Sequence, residues 1–243
     1  MARFENVERI FDPADTAIQE CISLTEPKSF FLFAGAGSGK TGALVEALKY
    51  AREHLGATLA RENRYIGVIT YTNAAADEIA RRSEQFPFFA ISTIHSFAWE
   101  LIEPFQRDIK VWLTRKLESD LAELATKRGK NKERDIIKKQ KRLETVRQVN
   151  RFSYSPTKPN TGRDSLNHGD VISICTDFLQ KPLMQEIFIS RFPILLIDES
   201  QDTSKNLMDV FLSIQHKHST RFMFGLFGDM MQRIYLDGKE FLD

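Results

Sequence analysis

Phe30-Phe31-Leu32-Phe33-Ala34-Gly35-Ala36-Gly37-Ser38-Gly39-Lys40-Thr41 is the stretch that decides how the rest of the chain is read. An apolar run short enough for a buried strand stops at a loop of small residues, and Lys-Thr then opens a helix. Ala43, Leu44, Ala47, Leu48 and Ala51 follow at helical spacing. Strand, glycine loop and helix form the context that a phosphate-binding loop requires. The glycines let consecutive backbone N–H groups turn toward phosphate oxygens, and the helix N-terminus adds partial positive charge. Lys40 can reach the β- and γ-phosphates, and the Thr41 hydroxyl can ligate Mg²⁺. The strict pattern G-x-x-x-x-G-K-[ST] would put glycine at position 34, where this chain carries alanine. The loop predicts a nucleoside triphosphate site, with Ala36, Gly37, Ser38, Gly39, Lys40 and Thr41 around the phosphates.

Upstream of the loop, residues 13–25 place Ala14, Ala17, Ile18, Cys21 and Ile22 on one helical face, with Gln19 off that stripe. Downstream, residues 65–70 read as a second buried strand, followed by Tyr71-Thr72-Asn73 and a helix over 74–82. Residues 88–92 predict a third strand, leading into Thr93-Ile94-His95-Ser96-Phe97. The character then changes. Leu113, Leu117, Leu121 and Leu124 follow helical spacing, as do Ile136, Leu143, Val146 and Val149, with Arg128-Gly129-Lys130-Asn131 between them. That pattern predicts an antiparallel helix pair. Residues 153–168 are loop-like, with prolines at 156 and 159, a glycine at 162 and another just after, at 169. Strands return with Ile194-Leu195-Leu196-Ile197, ending in Asp198-Glu199, and with residues 222–227, ending in Gly228-Asp229. A strand-and-helix pattern interrupted and then resumed predicts an α/β domain, residues 1–98 and 187–243, with a helical insertion over 99–186.

Composition narrows the class. Hydrophobic residues make up 42% and charged residues 28% of 243 positions, as in a soluble globular protein. Cys21 and Cys175 are too few and too scattered for a disulfide framework or a zinc site. No apolar run approaches the roughly 18–20 residues of a membrane span. Residues 1–10 lack the apolar core of a signal peptide, so the expected compartment is the cytoplasm and no membrane partner is expected. Net charge is +1, yet residues 107–151 hold fifteen Lys/Arg against seven Asp/Glu. Such a block suits a phosphate-backbone footprint and equally a solvated face on long helices.

A phosphate loop alone hydrolyses nothing. It needs one carboxylate to hold Mg²⁺ and another to take a proton from the attacking water. Asp198 and Glu199 supply adjacent acids where an apolar strand ends, the position at which side chains of an α/β sheet face a shared cleft.

Taken together, these motifs resemble the UvrD/Rep/PcrA-type superfamily 1 DNA helicases. Gln19 stands fifteen residues before Ala34, the spacing of that family's adenine-reading glutamine, and a Gln amide can pair with adenine's N6 and N7 edge. AGAGSGKT, residues 34–41, is the family's own form of the phosphate loop. TYTNAAADEI (70–79) and STIHSFA (92–98) are similar to motifs Ia and Ib, DESQDT (198–203) to motif II, and GDMMQRIY (228–235) to motif III. The order is the family's, and the matches span almost the whole chain.

The resemblance implies a RecA-like P-loop NTPase domain with a parallel sheet, ATP and Mg²⁺ as cofactors, and ATP-driven movement on single-stranded DNA. Lys40, Asp198, Glu199 and Gln232 would be catalytic, with Thr41 and Asp198 on the metal and Glu199 as general base. Gln201 and Gln232 would sense the γ-phosphate. Tyr71, Asn73, His95 and Tyr235 would line the DNA groove, the tyrosines stacking on bases. The basic insertion takes the place of a helical subdomain that touches a duplex junction. Two features depart from the family. Gly42 stands where it usually has Arg, and Leu236-Asp237-Gly238 replaces its Gly-Trp-Arg after motif III. A second RecA-like domain, with motifs IV to VI, is expected from the same polypeptide or from a partner chain. Two other readings compete: a nucleotide-gated DNA-binding or scaffold module with little hydrolysis, and a small-molecule kinase, which would not need Gln19, Gln201 or TYTN.

Overall fold

The computed structural model describes residues 13–35, 37–126 and 132–229. The chain comprises two compact units, Met1–Thr93 with Gln185–Asp243, and Ile94–Met184.

In the first unit, β1 (Phe30–Phe33), β2 (Ile66–Thr70), β3 (Phe89–Thr93), β4 (Ile194–Ile197) and β5 (Met223–Gly228) form a sheet in the order β1-β5-β4-β2-β3. Every pairing is parallel. Parallel strands need crossover helices, which cover both faces and favour near-continuous apolar runs in the strands. The central strands follow that rule: IGVIT and ILLI are buried at every position. On one face, Ile66, Val68, Ile194, Leu196, Met223 and Phe227 pack with residues of α1 (Pro13–Cys21), α2 (Lys40–Glu62) and α3 (Asn73–Arg82). On the other, the ring of Phe188 from α8 (Pro182–Arg191) stacks on Phe211 of α9 (Lys205–Lys217), with Phe222 and Phe224 beside them.

One expectation is overturned. The unbroken apolar run of β1 reads as a buried strand, but among the described residues β1 ends the sheet. Phe30 and Leu32 pack toward the core, whereas Phe31 and Phe33 are 42% and 45% exposed and stack on each other at 3.7 Å between ring centroids. An edge strand with one packed face leaves alternate side chains in water, whatever their hydropathy. The helix predicted from Ala74 begins one residue earlier, because Thr72 caps it by accepting the Ala75 N–H at 3.1 Å.

The second unit is helical. It holds α4 (Ile94–Ile102), α5 (Gln106–Thr126), α6 (Lys132–Gln148) and α7 (His168–Leu179), together with the start of α8. α5 and α6 run antiparallel: Lys110 Nζ donates to the carbonyls of Arg147 and Val149, while at the other end Lys132 Nζ donates to that of Ala125. Leu113, Leu117, Leu143 and Val146 are buried, as their spacing predicts. Beside α5 and α6 lies a cleft of about 660 Å³, whose lining includes Lys138, Lys139, Lys141, Arg142 and Arg163.

Candidate nucleotide-binding site

Because all five strands run the same way, their C-terminal ends share one edge of the sheet, and the loops that leave it meet there. The first is residues 34–39. The Ala34 N–H donates to the Gly228 carbonyl at 3.1 Å, extending the β1–β5 ladder by one residue. Gly37 and Gly39 hold φ of +75° and +88°, which side-chain-bearing residues seldom adopt. At Gly37 nothing lies within 4 Å of where a Cβ would sit, so the requirement there is conformational and not steric. Gly39 caps α2, and its carbonyl takes the first helical bond from the Ala43 N–H at 2.9 Å. The N–H groups that open a helix have no intrahelical partner and face outward as anion donors. Lys40 is 7% exposed, with Nζ donating to the carbonyls of Ala34 at 2.8 Å and Gly35 at 3.1 Å. The ammonium is therefore held over the loop.

The second feature is the acidic turn after β4. Asp198 is 3% exposed; its Oδ2 accepts the Thr41 hydroxyl at 3.2 Å, and its Oδ1 accepts the Glu199 N–H at 3.1 Å. Burial, then the charge of Glu199, raises its pKa above the usual carboxylate value. Glu199 sits in the left-handed region at φ 50°, ψ 49°. Gln201 bridges this turn to β5: its Nε2 donates to Glu199 Oε2 at 2.6 Å, and its Oε1 accepts the Asp229 N–H at 3.2 Å. Gly228 permits the approach, since a Cβ there would lie 2.4 Å from Ser200 Oγ.

The residues suit a magnesium–nucleotide pair. Mg²⁺ binds through one or two protein oxygens, keeps several waters and takes its remaining ligands from phosphates. Thr41 and Asp198 offer that sparse set, and no cluster of three or more acidic, His or Cys ligands exists among the described residues. A cation there would also relieve the buried charge of Asp198.

The raised pKa of Asp198 has a thermal consequence. A carboxyl whose pKa is higher folded than unfolded costs stability above the folded value; the cost fades as pH falls toward the unfolded value of about 4. Asp198→Asn is expected to raise the melting temperature at pH 7. The gain should shrink toward pH 4 in scanning calorimetry; an equal or lower melting temperature at pH 7 would contradict the strain.

The other predicted residues are distributed unevenly. Gln19 is half-buried on α1, whose Ile18 packs in the core that holds Ala43, Leu44 and Ala47 of α2. Tyr71 follows β2 and is 63% exposed, and Asn73, also exposed, is the first residue of α3. His95 lies on α4 in the helical unit, its ring 5.0 Å from that of His168, and burial followed by the His168 charge lowers its pKa. His168 Nδ1 is itself hydrogen-bonded to the Tyr154 hydroxyl at 2.6 Å. Ala36, Gln232 and Tyr235 fall outside the described residues. Asp229, which follows β5 within the motif III match, is 5% exposed, and its N–H donates to Gln201 Oε1.

A parallel sheet whose edge gathers a glycine loop, a Lys-Thr helix start and a buried strand-end aspartate defines a RecA-like P-loop NTPase domain. The chain belongs to the AAA domain family, which matches residues 18–237. It is similar to the Gabija protein GajB of Bacillus cereus (strain HuB5-5), with 24% identity over 291 aligned residues covering 89% of this chain and 42% of that protein. The chain thus spans less than half the length of that curated relative. Among the described residues, no helix is long and apolar enough to cross a membrane.

Proposed function

We propose that the chain is the N-terminal ATPase region of a superfamily 1-type DNA helicase or translocase. It would bind Mg·ATP and hydrolyse it to drive movement on single-stranded DNA. The observation that carries the reading is the Thr41–Asp198 hydrogen bond. It joins residues 157 positions apart and puts the phosphate loop beside the acidic turn.

The residues then divide the work. Lys40 and the N–H groups opening α2 bind the phosphates. Thr41 and Asp198 would hold the metal, which when bound neutralises charge developing on the phosphoryl oxygens. Glu199 takes the proton of the attacking water, and Gln201 keeps that carboxylate oriented. Gln19 is assigned to the adenine. Gln232 is assigned to the γ-phosphate, with Tyr235 on the DNA. A second RecA-like lobe, in the same polypeptide or a partner, would complete the cleft; the partial coverage of the longer relative supports this.

Single-stranded DNA is assigned to Tyr71 and Asn73 in the first unit; in the helical unit, His95 is proposed as a DNA contact and the basic residues as contacts to a duplex junction. Tyr71 is exposed enough to stack on a base. Tyr71→Ala in the full-length protein is expected to weaken single-stranded DNA binding by about 1–3 kcal/mol, without sequence preference and with the salt dependence unchanged. Fluorescence anisotropy with oligothymidine checks this. Unchanged affinity would remove Tyr71 from the DNA path, and ATP hydrolysis that ignores added DNA would count against the translocase reading.

A further inference from the structure

The sheet face beneath α1 and α2 is apolar until its last row. β2 places Ile66 and Val68 there, β4 places Ile194 and Leu196, and β3 places Phe89 and Ile91. Side chains alternate along a strand, so the next positions on that face are Thr70, Asp198 and Thr93. Thr70 is in register with Thr93. On its other side, the Asp198 N–H donates to the Ile69 carbonyl at 2.8 Å, one step beyond the pairing of Ile69 with Ile197. Thr70 therefore sits in one row between Thr93 and the metal-type carboxylate, with strands about 4.8 Å apart.

Thr70 is 1% exposed, and its Oγ1 is fully buried without a hydrogen-bond partner. An unpaired buried hydroxyl costs stability, because no hydrogen bond repays its lost hydration. Valine would fill the same volume on a buried central strand and carry no such penalty. Packing alone does not account for a threonine here. The row it shares with Asp198 supplies a reason.

We propose that Thr70 is a positioning residue of the magnesium–nucleotide site, its hydroxyl hydrogen-bonding to the water shell of a divalent cation held at Thr41 and Asp198. The proposal rests on the nucleotide-binding reading above. A magnesium ion with few protein ligands keeps several waters. Groups that orient the shell beyond the direct ligands are worth about 10–100-fold in metal affinity.

The test uses the full-length protein, Thr70→Val and Thr70→Ser, titrating MgCl₂ at fixed ATP and reading nucleotide binding by calorimetry and by thermal stabilisation. Thr70→Val should melt higher than wild type without ligand, since it removes an unpaired polar atom, yet need about tenfold more Mg²⁺ for half-maximal ATP binding. Thr70→Ser, which keeps the hydroxyl, should return the Mg²⁺ requirement to the wild-type value. A wild-type requirement in Thr70→Val would overturn the proposal. So would a lower melting temperature in that variant, which would reveal a protein partner for the hydroxyl, and so would a serine variant that behaves like valine. Wild-type protein that binds no Mg·ATP at all would instead sink the nucleotide reading on which the proposal rests.

Discussion

Glu199→Gln is expected to lower ATP hydrolysis by about 10²–10⁴-fold while leaving Mg·ATP binding intact. The substitution removes the proton acceptor but keeps the shape. The Gln201 amide, 2.6 Å from Glu199 Oε2, can donate to the new side chain's carbonyl oxygen, so the bridge to Asp229 survives. The left-handed backbone at position 199 is no harder for glutamine than for glutamate. Single-turnover hydrolysis by the full-length variant, with binding measured alongside, separates the two effects. Wild-type turnover would place the base elsewhere and leave Glu199 only as a charge that adds to the effect of burial on the pKa of Asp198.

Lys40→Ala attacks binding directly. The ammonium is nearly buried and lies over the loop that would cradle the phosphates. A charge-assisted contact in such a place is worth a few kcal/mol, so affinity for Mg·ATP should fall on the order of a hundredfold. The carbonyls of Ala34 and Gly35 lose their donor, but Ala34 is only half-buried and Gly35 is exposed, so water can replace it and the fold should hold. An unchanged circular dichroism spectrum and melting temperature would assign the loss to the ligand contact.

Much of this site was legible in residue order alone, for a local reason. The phosphate loop is read within twelve consecutive residues, and Asp198-Glu199 follows an apolar run whose four positions are all buried in β4. Both signals depend on neighbours in sequence. What escaped depends on neighbours in space. That FFLF lies at the sheet edge follows from the strand order, which no period within the run encodes. The Gln201 bridge needs β5 beside β4, and the row of Thr70 with Asp198 needs β2 on the other side of β4. Motif order cannot say to which compact unit a residue belongs: His95 comes two residues after β3 ends, yet it lies in the helical unit.

The most direct measurement is a calorimetric titration of ATP into the wild-type protein, with Mg²⁺ present and with Mg²⁺ chelated, set beside the same titration of Lys40→Ala. One nucleotide per chain, bound tightly only with Mg²⁺ and about a hundredfold more weakly by the variant, is the expected result. No saturable binding by the wild type, or equal affinity in wild type and variant, would contradict a nucleotide site at the phosphate loop.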